Sequence, residues 1–325
     1  MQVDNNAAAA SHDYTSISPS AYRLLLMKGD TDIPYAREAA ALLKRTSGER
    51  AGGLPKFGSS PVDYWTRVMH FESRYWSIDQ LLADLPYTNI LELSSGFSFR
   101  GLALSRRQPV FYIDTDLEGV IAGKQRFVDA LVADEAGTGE AAVGETGAGD
   151  AKHAGAERPS TDPPGHYALQ ALNVLDADAF RAVVAHFPPG PIAIVNEGLL
   201  VYLDPAEKET LCQNIRECLL ARGGCWITAD IYLQRPAGAP PVVQNESYSR
   251  WQEQHKIEEK KFNNIQDAEA FFQRMGFTVD KEAQPNYARL TSLARLLEAA
   301  GPAAIEQLRQ TGRPRLHATW RLEVS

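Results

Sequence analysis

The sequence predicts an α/β fold: a parallel sheet wound with helices on both faces. Three observations carry this. Short apolar runs alternate five times with helical patterns between Thr88 and Leu233, the pattern of successive strand–helix units. PIAIVNEG (Pro191–Gly198) is apolar almost throughout, as expected of a strand covered on both sides. NILELSSGFSFRG (Asn89–Gly101) reads as a strand that opens abruptly onto a helix, with Gly96 the one glycine at the turn.

The elements follow in order. TNILELSS (Thr88–Ser95) is the first strand and FRGLALSRR (Phe99–Arg107) a short helix; PVFYID (Pro109–Asp114) is the second strand. Leu117, Val120, Ile121, Lys124, Phe127, Val128 and Leu131 then recur at helical spacing, with Lys124 the polar interruption. YALQALNV (Tyr167–Val174) gives a third strand, DADAFRAVVAHF (Asp176–Phe187) a helix, and PIAIVNEG the fourth strand. The next helix is the best marked. Asp204 can cap it, Pro205 suits its first position and Glu207 completes a capping box. Leu211, Ile215 and Leu219 line one face, and Gly223 stops it. GCWITADIYL (Gly224–Leu233) is the fifth strand. A helix (Asp267–Met275), a short strand GFTV and a last strand LHATWRLEV (Leu316–Val324) complete the tail.

Residues 1–86 read as an amphipathic helical cap over the sheet's ligand edge, and 87–325 as the sheet domain. The stretch 133–165 has no Phe, Trp or Tyr, and Val143 is its one branched aliphatic. Such a segment buries too little apolar surface to offset the entropy of ordering it, so it is expected to be a disordered insertion.

Composition narrows the function. A net charge of −8 disfavours a nucleic-acid partner, whose phosphates call for a basic surface. Cys212, Cys218 and Cys225 form no CxxC pair and read as buried thiols of a reducing compartment. The histidines show no HxxxH or HExxH spacing, so no metal is expected. With no long apolar run, the expectation is a soluble cytoplasmic protein without a membrane partner.

The turn at Gly96 bears on the cofactor. A dinucleotide site uses GxGxxG so that a pyrophosphate can approach the backbone at a helix N-terminus. Here one glycine remains, and Phe97 and Phe99 stand where bulk is expected to crowd a diphosphate. S-adenosylmethionine carries no phosphate and would tolerate such a turn. The alternative weighed against it is an NAD(P)-dependent oxidoreductase.

Four stretches, ILELSSGFSFR, YIDTDLEGVIAGK, ALNVLD and IVNEGLLVYLDPAE, resemble successive motifs of the leucine carboxyl methyltransferase-like family. That family is a branch of the class I, S-adenosylmethionine-dependent methyltransferases that includes O-methyltransferases of polyketide synthesis. The likeness spans roughly Arg74 to Leu233. It implies a Rossmann-like, seven-stranded, mostly parallel sheet with S-adenosyl-L-methionine as cofactor. It also implies roles. Ser94 and Gly96 match the turn at the amino-acid tail, although Ser94 stands where glycine is usual. Asp116 matches the ribose acid, with Asp114, the choice of a general class I reading, kept open beside it. Asn173 and Val174 match the pair at the adenine, and Glu197 the acid near the sulfonium and amino group. Arg74 matches the arginine that grips the carboxylate, assisted by Lys28. The expected activity is O-methylation of a small molecule at a carboxylate or acidic hydroxyl, with no catalytic residue named. Methylation of a protein C-terminus and a non-catalytic cofactor-binding protein remain as alternatives.

Overall fold

Alternation along the strands decides how the sheet is covered. In the computed structural model, which describes residues 19–47, 60–141, 164–235, 256–311 and 316–325, seven strands form one sheet. They are β1 (Asn89–Leu93), β2 (Phe111–Asp116), β3 (His166–Ala171), β4 (Ile192–Asn196), β5 (Gly224–Tyr232), β6 (Phe277–Glu282) and β7 (His317–Val324). Their order is β3-β2-β1-β4-β5-β7-β6. The first five are parallel, and β7 runs antiparallel between β5 and β6. The expected seven-stranded, mostly parallel sheet is present.

Successive side chains leave a strand on opposite faces, and the core divides accordingly. Leu91, Leu93, Ile192, Ile194 and Trp226 belong to one buried cluster. Ile90, Ala193, Val195, Cys225 and Ile227 belong to another. The first cluster is closed by α6 (Ala177–Val184), through Phe180 and Val183, and by α7 (Pro205–Arg222), through Leu211, Ile215 and Leu219. In α7 the Asp204–Glu207 capping box forms and Gly223 ends the helix at φ 73°. The second cluster is closed by Ile78 and Leu81 of α3 (Pro61–Leu82). The three cysteines are buried free thiols.

Among its described residues the segment read as a cap therefore has two parts; 1–18 and 48–59 lie outside them. Helix α3, started by the Ser60 side chain accepting from Asp63 N and by Pro61, packs on a sheet face. Helices α1 (Pro19–Lys28) and α2 (Ala36–Ser47) instead pack with Phe97, Phe99, Phe127 and Val128. This corrects the expectation for Phe97 and Phe99. Both rings are buried in that cluster and do not crowd the turn.

Two further differences have physical causes. The helix after β2, α5 (Glu118–Ala141), enters the stretch expected to be disordered. Its residues 133–141 hold three alanines and two glutamates, which favour a helix, against two glycines, which do not. Glu135 is tied by the Tyr35 hydroxyl and by Arg106 at 3.1 Å. Residues 142–163 lie outside the described residues. The sequence reading also missed α9 (Thr291–Thr311), which follows α8 (Ile265–Arg274) and β6 and is kinked at Gly301. The buried carboxylate of Glu72 on α3 holds its first turn, accepting from Thr291 N at 2.8 Å and Ser292 N at 2.9 Å.

Candidate functional site

The strand order reverses between β1 and β4, and the carboxyl ends of these neighbours are where an open α/β sheet places ligands. The turn leaving β1 sets the geometry there. Ser94 has φ 50° and Gly96 φ 49°. A serine in the left-handed region costs roughly 1–2 kcal/mol relative to its usual backbone. A Cβ added to Gly96 would meet no atom of the described residues within 4 Å, so one side of the turn faces open space. Asp116, the last residue of β2, fixes the turn by accepting from Gly96 N at 2.8 Å and from Leu117 N at 2.7 Å. The short helix α4 (Arg100–Ser105) follows.

Glu197 directly follows β4 and is held by three buried cations. Lys28 Nζ lies 3.0 Å from its carboxylate, Arg74 at 3.4 Å and Arg100 at 3.4 Å. Burial alone would raise the Glu197 carboxyl, but Lys28, Arg74 and Arg100 outweigh it and bring it down to about 2. Lys28 ends α1, Arg74 lies on α3 and Arg100 opens α4, so three helices converge on one strand end. Burial lowers the Lys28 ammonium, with Glu197 opposing.

The cluster extends to β5. Asp230 accepts from Asn196 Nδ2 at 2.7 Å, Gly198 N at 2.6 Å, Leu199 N at 2.5 Å and Leu200 N at 3.0 Å. One carboxylate thus shapes the Asn196–Leu200 turn and fixes the backbone on which Glu197 sits. Gly198 has φ 82°, which favours glycine, and a Cβ there would stand 3.2 Å from Arg74 Nη2, which would have to give by a few tenths of an ångström. Arg74 donates from Nη1 to the Tyr232 hydroxyl at 2.5 Å. Its buried Nε and Nη2 have no hydrogen-bond partner among the described residues, although Nη2 lies within ion-pair range of Glu197 and, at 3.8 Å, of Asp230. Donors left in that condition suit an anionic group arriving from the open side.

The structure brings Lys28, Arg74 and Glu197 together and places Ser94, Gly96 and Asp116 on the adjoining turn. It sends the Asp114 carboxylate elsewhere: fully buried, 2.7 Å from Lys124 Nζ and 2.6 Å from the Tyr167 hydroxyl. The polar interruption at Lys124 is thereby explained, since this buried lysine also donates to Ser95 Oγ at 2.9 Å beneath the turn. Beyond β3, Asn173 is exposed and accepts from Leu175 N, whereas the Val174 side chain packs in the core.

Several residues of the site escaped the sequence reading. Arg100 stands in the FSFR stretch without an assigned role; it is fully buried, pairs with Asp79 and lies 3.9 Å from the centre of the Tyr75 ring. His70 precedes Arg74 by four residues, which puts both on one face of α3. Asp230 and Tyr232 leave β5 on one side by its two-residue period. Those spacings were the available signals. Surface clefts elsewhere do not coincide with this cluster. One of about 450 Å³ is lined by Asp30, Arg37, Trp65 and Arg295; another of about 420 Å³ sits among prolines at the amino ends of the strands.

No protein-family model and no curated protein matches the chain. Solved structures similar to it include a LepI complex with SAM, at 10% identity and TM-score 0.40, covering 78% of this chain and 46% of that one. Magnesium protoporphyrin IX methyltransferase (ChlM) from Synechocystis PCC 6803 with bound SAH is 8% identical at TM-score 0.43, covering 87% and 95%. An O-methyltransferase family protein from Burkholderia thailandensis is 12% identical at TM-score 0.41, covering 81% and 59%. The chain spans less than half the length of the LepI protein. Likeness this distant assigns no residue a role. Among the described residues no helix is long and apolar enough to cross a membrane.

Proposed function

We propose that the chain is a class I S-adenosylmethionine-dependent methyltransferase of the leucine carboxyl methyltransferase-like branch, O-methylating a small molecule in the cytoplasm. The observation that carries the reading is the convergence of Lys28, Arg74 and Arg100 on Glu197, beside a one-glycine turn that is open on one side. An amino-acid tail presents a carboxylate and an ammonium within a few ångströms. A site for it needs cations and an anion at equally close quarters, and here they are already paired.

The groups present fit that cofactor. The Arg74 donors left over by the described residues and Lys28 would take the tail carboxylate, a guanidinium being suited to it by bidentate bonding. Glu197, deprotonated at any working pH, would face the ammonium or sulfonium. Ser94 and Gly96 would offer backbone to the tail. Asp116, at the strand end, would serve as the ribose acid, a choice that the buried pairing of Asp114 with Lys124 supports. Asn173 would meet the adenine through its exposed side chain, and Val174 through its backbone alone.

When bound, the cofactor supplies an activated methyl group, and the protein's task is largely to hold an acceptor oxygen in line with it. Buried charges fixed by Asp230 and Asp79 provide a rigid wall for that alignment. The acceptor is a carboxylate or an acidic hydroxyl. The test is incubation with methyl-labelled S-adenosylmethionine and a panel of phenols, enols and carboxylic acids. Release of S-adenosylhomocysteine with label in an ether or ester is expected; label in a protein C-terminus would move the reading to the family's protein-methylating members.

A further inference from the structure

Beside the charged cluster lies a second one, of His70, Tyr232 and His317, whose bonding fixes where its protons sit. A guanidinium only donates, so the Tyr232 oxygen is the acceptor in its 2.5 Å bond with Arg74. The phenolic proton must then go elsewhere, and His70 Nε2, 3.0 Å away, is placed to accept it. His317 is committed differently. Its Nε2 lies 2.7 Å from the Ala229 carbonyl, an acceptor only, so that nitrogen carries the proton. The imidazoles meet edge to face at 5.3 Å, and the Tyr232 and His317 rings lie 4.9 Å apart.

Position makes this more than a structural cluster. Tyr232 closes β5 as Glu197 follows β4, and these two strands are neighbours, so the phenol stands at the carboxyl edge where the acceptor must lie. Phe71, next to His70 at 5.4 Å between rings, adds a half-buried aromatic wall. A carboxylate acceptor arrives already ionised and leaves a proton-accepting pair idle, whereas a hydroxyl has a proton to lose.

Resting on the methyltransferase reading above, we infer that the acceptor is an aromatic or enolic hydroxyl, and that His70 takes up its proton through the Tyr232 hydroxyl. The acceptor O–H donates to the Tyr232 oxygen while the tyrosine proton passes to His70 Nε2, which becomes an imidazolium and later releases the proton to water. The bound sulfonium supplies the methyl: the acceptor's C–O bond forms as the C–S bond breaks, its electron pair passing to sulfur. Arg74 steadies the charge that develops on the Tyr232 oxygen. Tyr232 touches the acceptor; His70 acts through it as a positioning and proton-holding residue. Burial, His317, Arg74 and Lys261 lower the His70 imidazole well below its ordinary value, with Glu197 opposing, so it rests neutral as the acceptor of the Tyr232 proton, and the same groups drive the imidazolium to give its proton up once the methyl has moved.

The experiment titrates S-adenosylhomocysteine-loaded protein with 4-nitrophenol and with 4-nitrobenzoate, reading affinity by calorimetry and the histidine nitrogens by NMR. Nitrophenol is expected to bind about tenfold tighter than nitrobenzoate, one hydrogen bond's advantage, and to move the His70 Nε2 resonance. His70→Gln should keep S-adenosylhomocysteine affinity and the melting temperature but lose the preference. Tyr232→Phe should abolish the resonance shift. Nitrobenzoate binding equally or better, uptake of neither probe, a shift at His317 in place of His70, or a proton already on His70 Nε2 in the unloaded protein would each overturn the assignment. Failure of the wild-type protein to bind S-adenosylhomocysteine at all would instead remove the methyltransferase reading.

Discussion

Replacing Glu197 by glutamine removes the one carboxylate that Lys28, Arg74 and Arg100 share, and the structure allows the cost to be worked out. The Glu197 side chain is 5% exposed and the three cations are 7%, 5% and 0% exposed, so solvent screens the interaction little. The carboxyl falls from an ordinary 4.5 to about 2 despite its burial, a drop that corresponds to about 3 kcal/mol of native-state stability. Breaking a buried ion pair from one side costs about 3–5 kcal/mol, in agreement. The folded pKa is depressed, so the contribution is complete above the unfolded value of 4.5 and disappears as pH falls through about 2. Urea unfolding of wild type and Glu197→Gln at pH 7 should differ by about 3 kcal/mol, and the difference should shrink steadily below about pH 4.5. A variant as stable as wild type at pH 7, or a gap that ignores pH between 7 and 3, would refute the electrostatic reasoning.

Three other outcomes follow from the same geometry. Arg74→Ala should weaken S-adenosylhomocysteine on the order of a hundredfold by calorimetry, while Arg67→Ala, seven residues earlier on α3, should leave it nearly unchanged; equal effects would break the assignment of Arg74. Asp114→Asn should lower stability by about 3–5 kcal/mol because it strands buried Lys124, whereas Asp116→Ala should chiefly weaken cofactor binding; comparing urea midpoints with calorimetric affinities separates the two. Gly198→Ala should cost about 1–2 kcal/mol from its positive φ and also weaken S-adenosylhomocysteine, since the new methyl presses on Arg74 Nη2.

Much of the fold was legible because strand and helix periods are local signals. Within PIAIVNEG, Ile192–Asn196 became a strand with every residue buried, and the Asp204–Pro205–Glu207 signature became a capped helix. Helix α9 was missed because its start depends on Glu72, 219 residues earlier in the chain, a contact no local pattern reveals. The site was legible where a motif concentrates it. Glu197 and Gly96 sit on turns that any strand–helix unit would build, and the resemblance named Arg74 and Lys28. Asp114 and Asp116 were indistinguishable in sequence because both lie on one face of β2. Their partners separate them: Asp114 pairs with Lys124 of α5, and Asp116 accepts from the Gly96 and Leu117 amides. Arg74 and Glu197 pair directly at 3.4 Å, a closeness that no spacing in the sequence reveals. His70, Tyr232 and His317 come from α3, β5 and β7 and are joined only by the packing of that helix on the sheet.

The central claim is that this carboxyl edge holds an S-adenosyl amino acid and not a dinucleotide. Isothermal titration of the full chain with S-adenosylhomocysteine, and separately with NADH, tests it most directly. The account predicts saturable heat at micromolar concentrations of S-adenosylhomocysteine, lost in Arg74→Ala, and no heat from NADH. Micromolar binding of NADH with none of S-adenosylhomocysteine would contradict it.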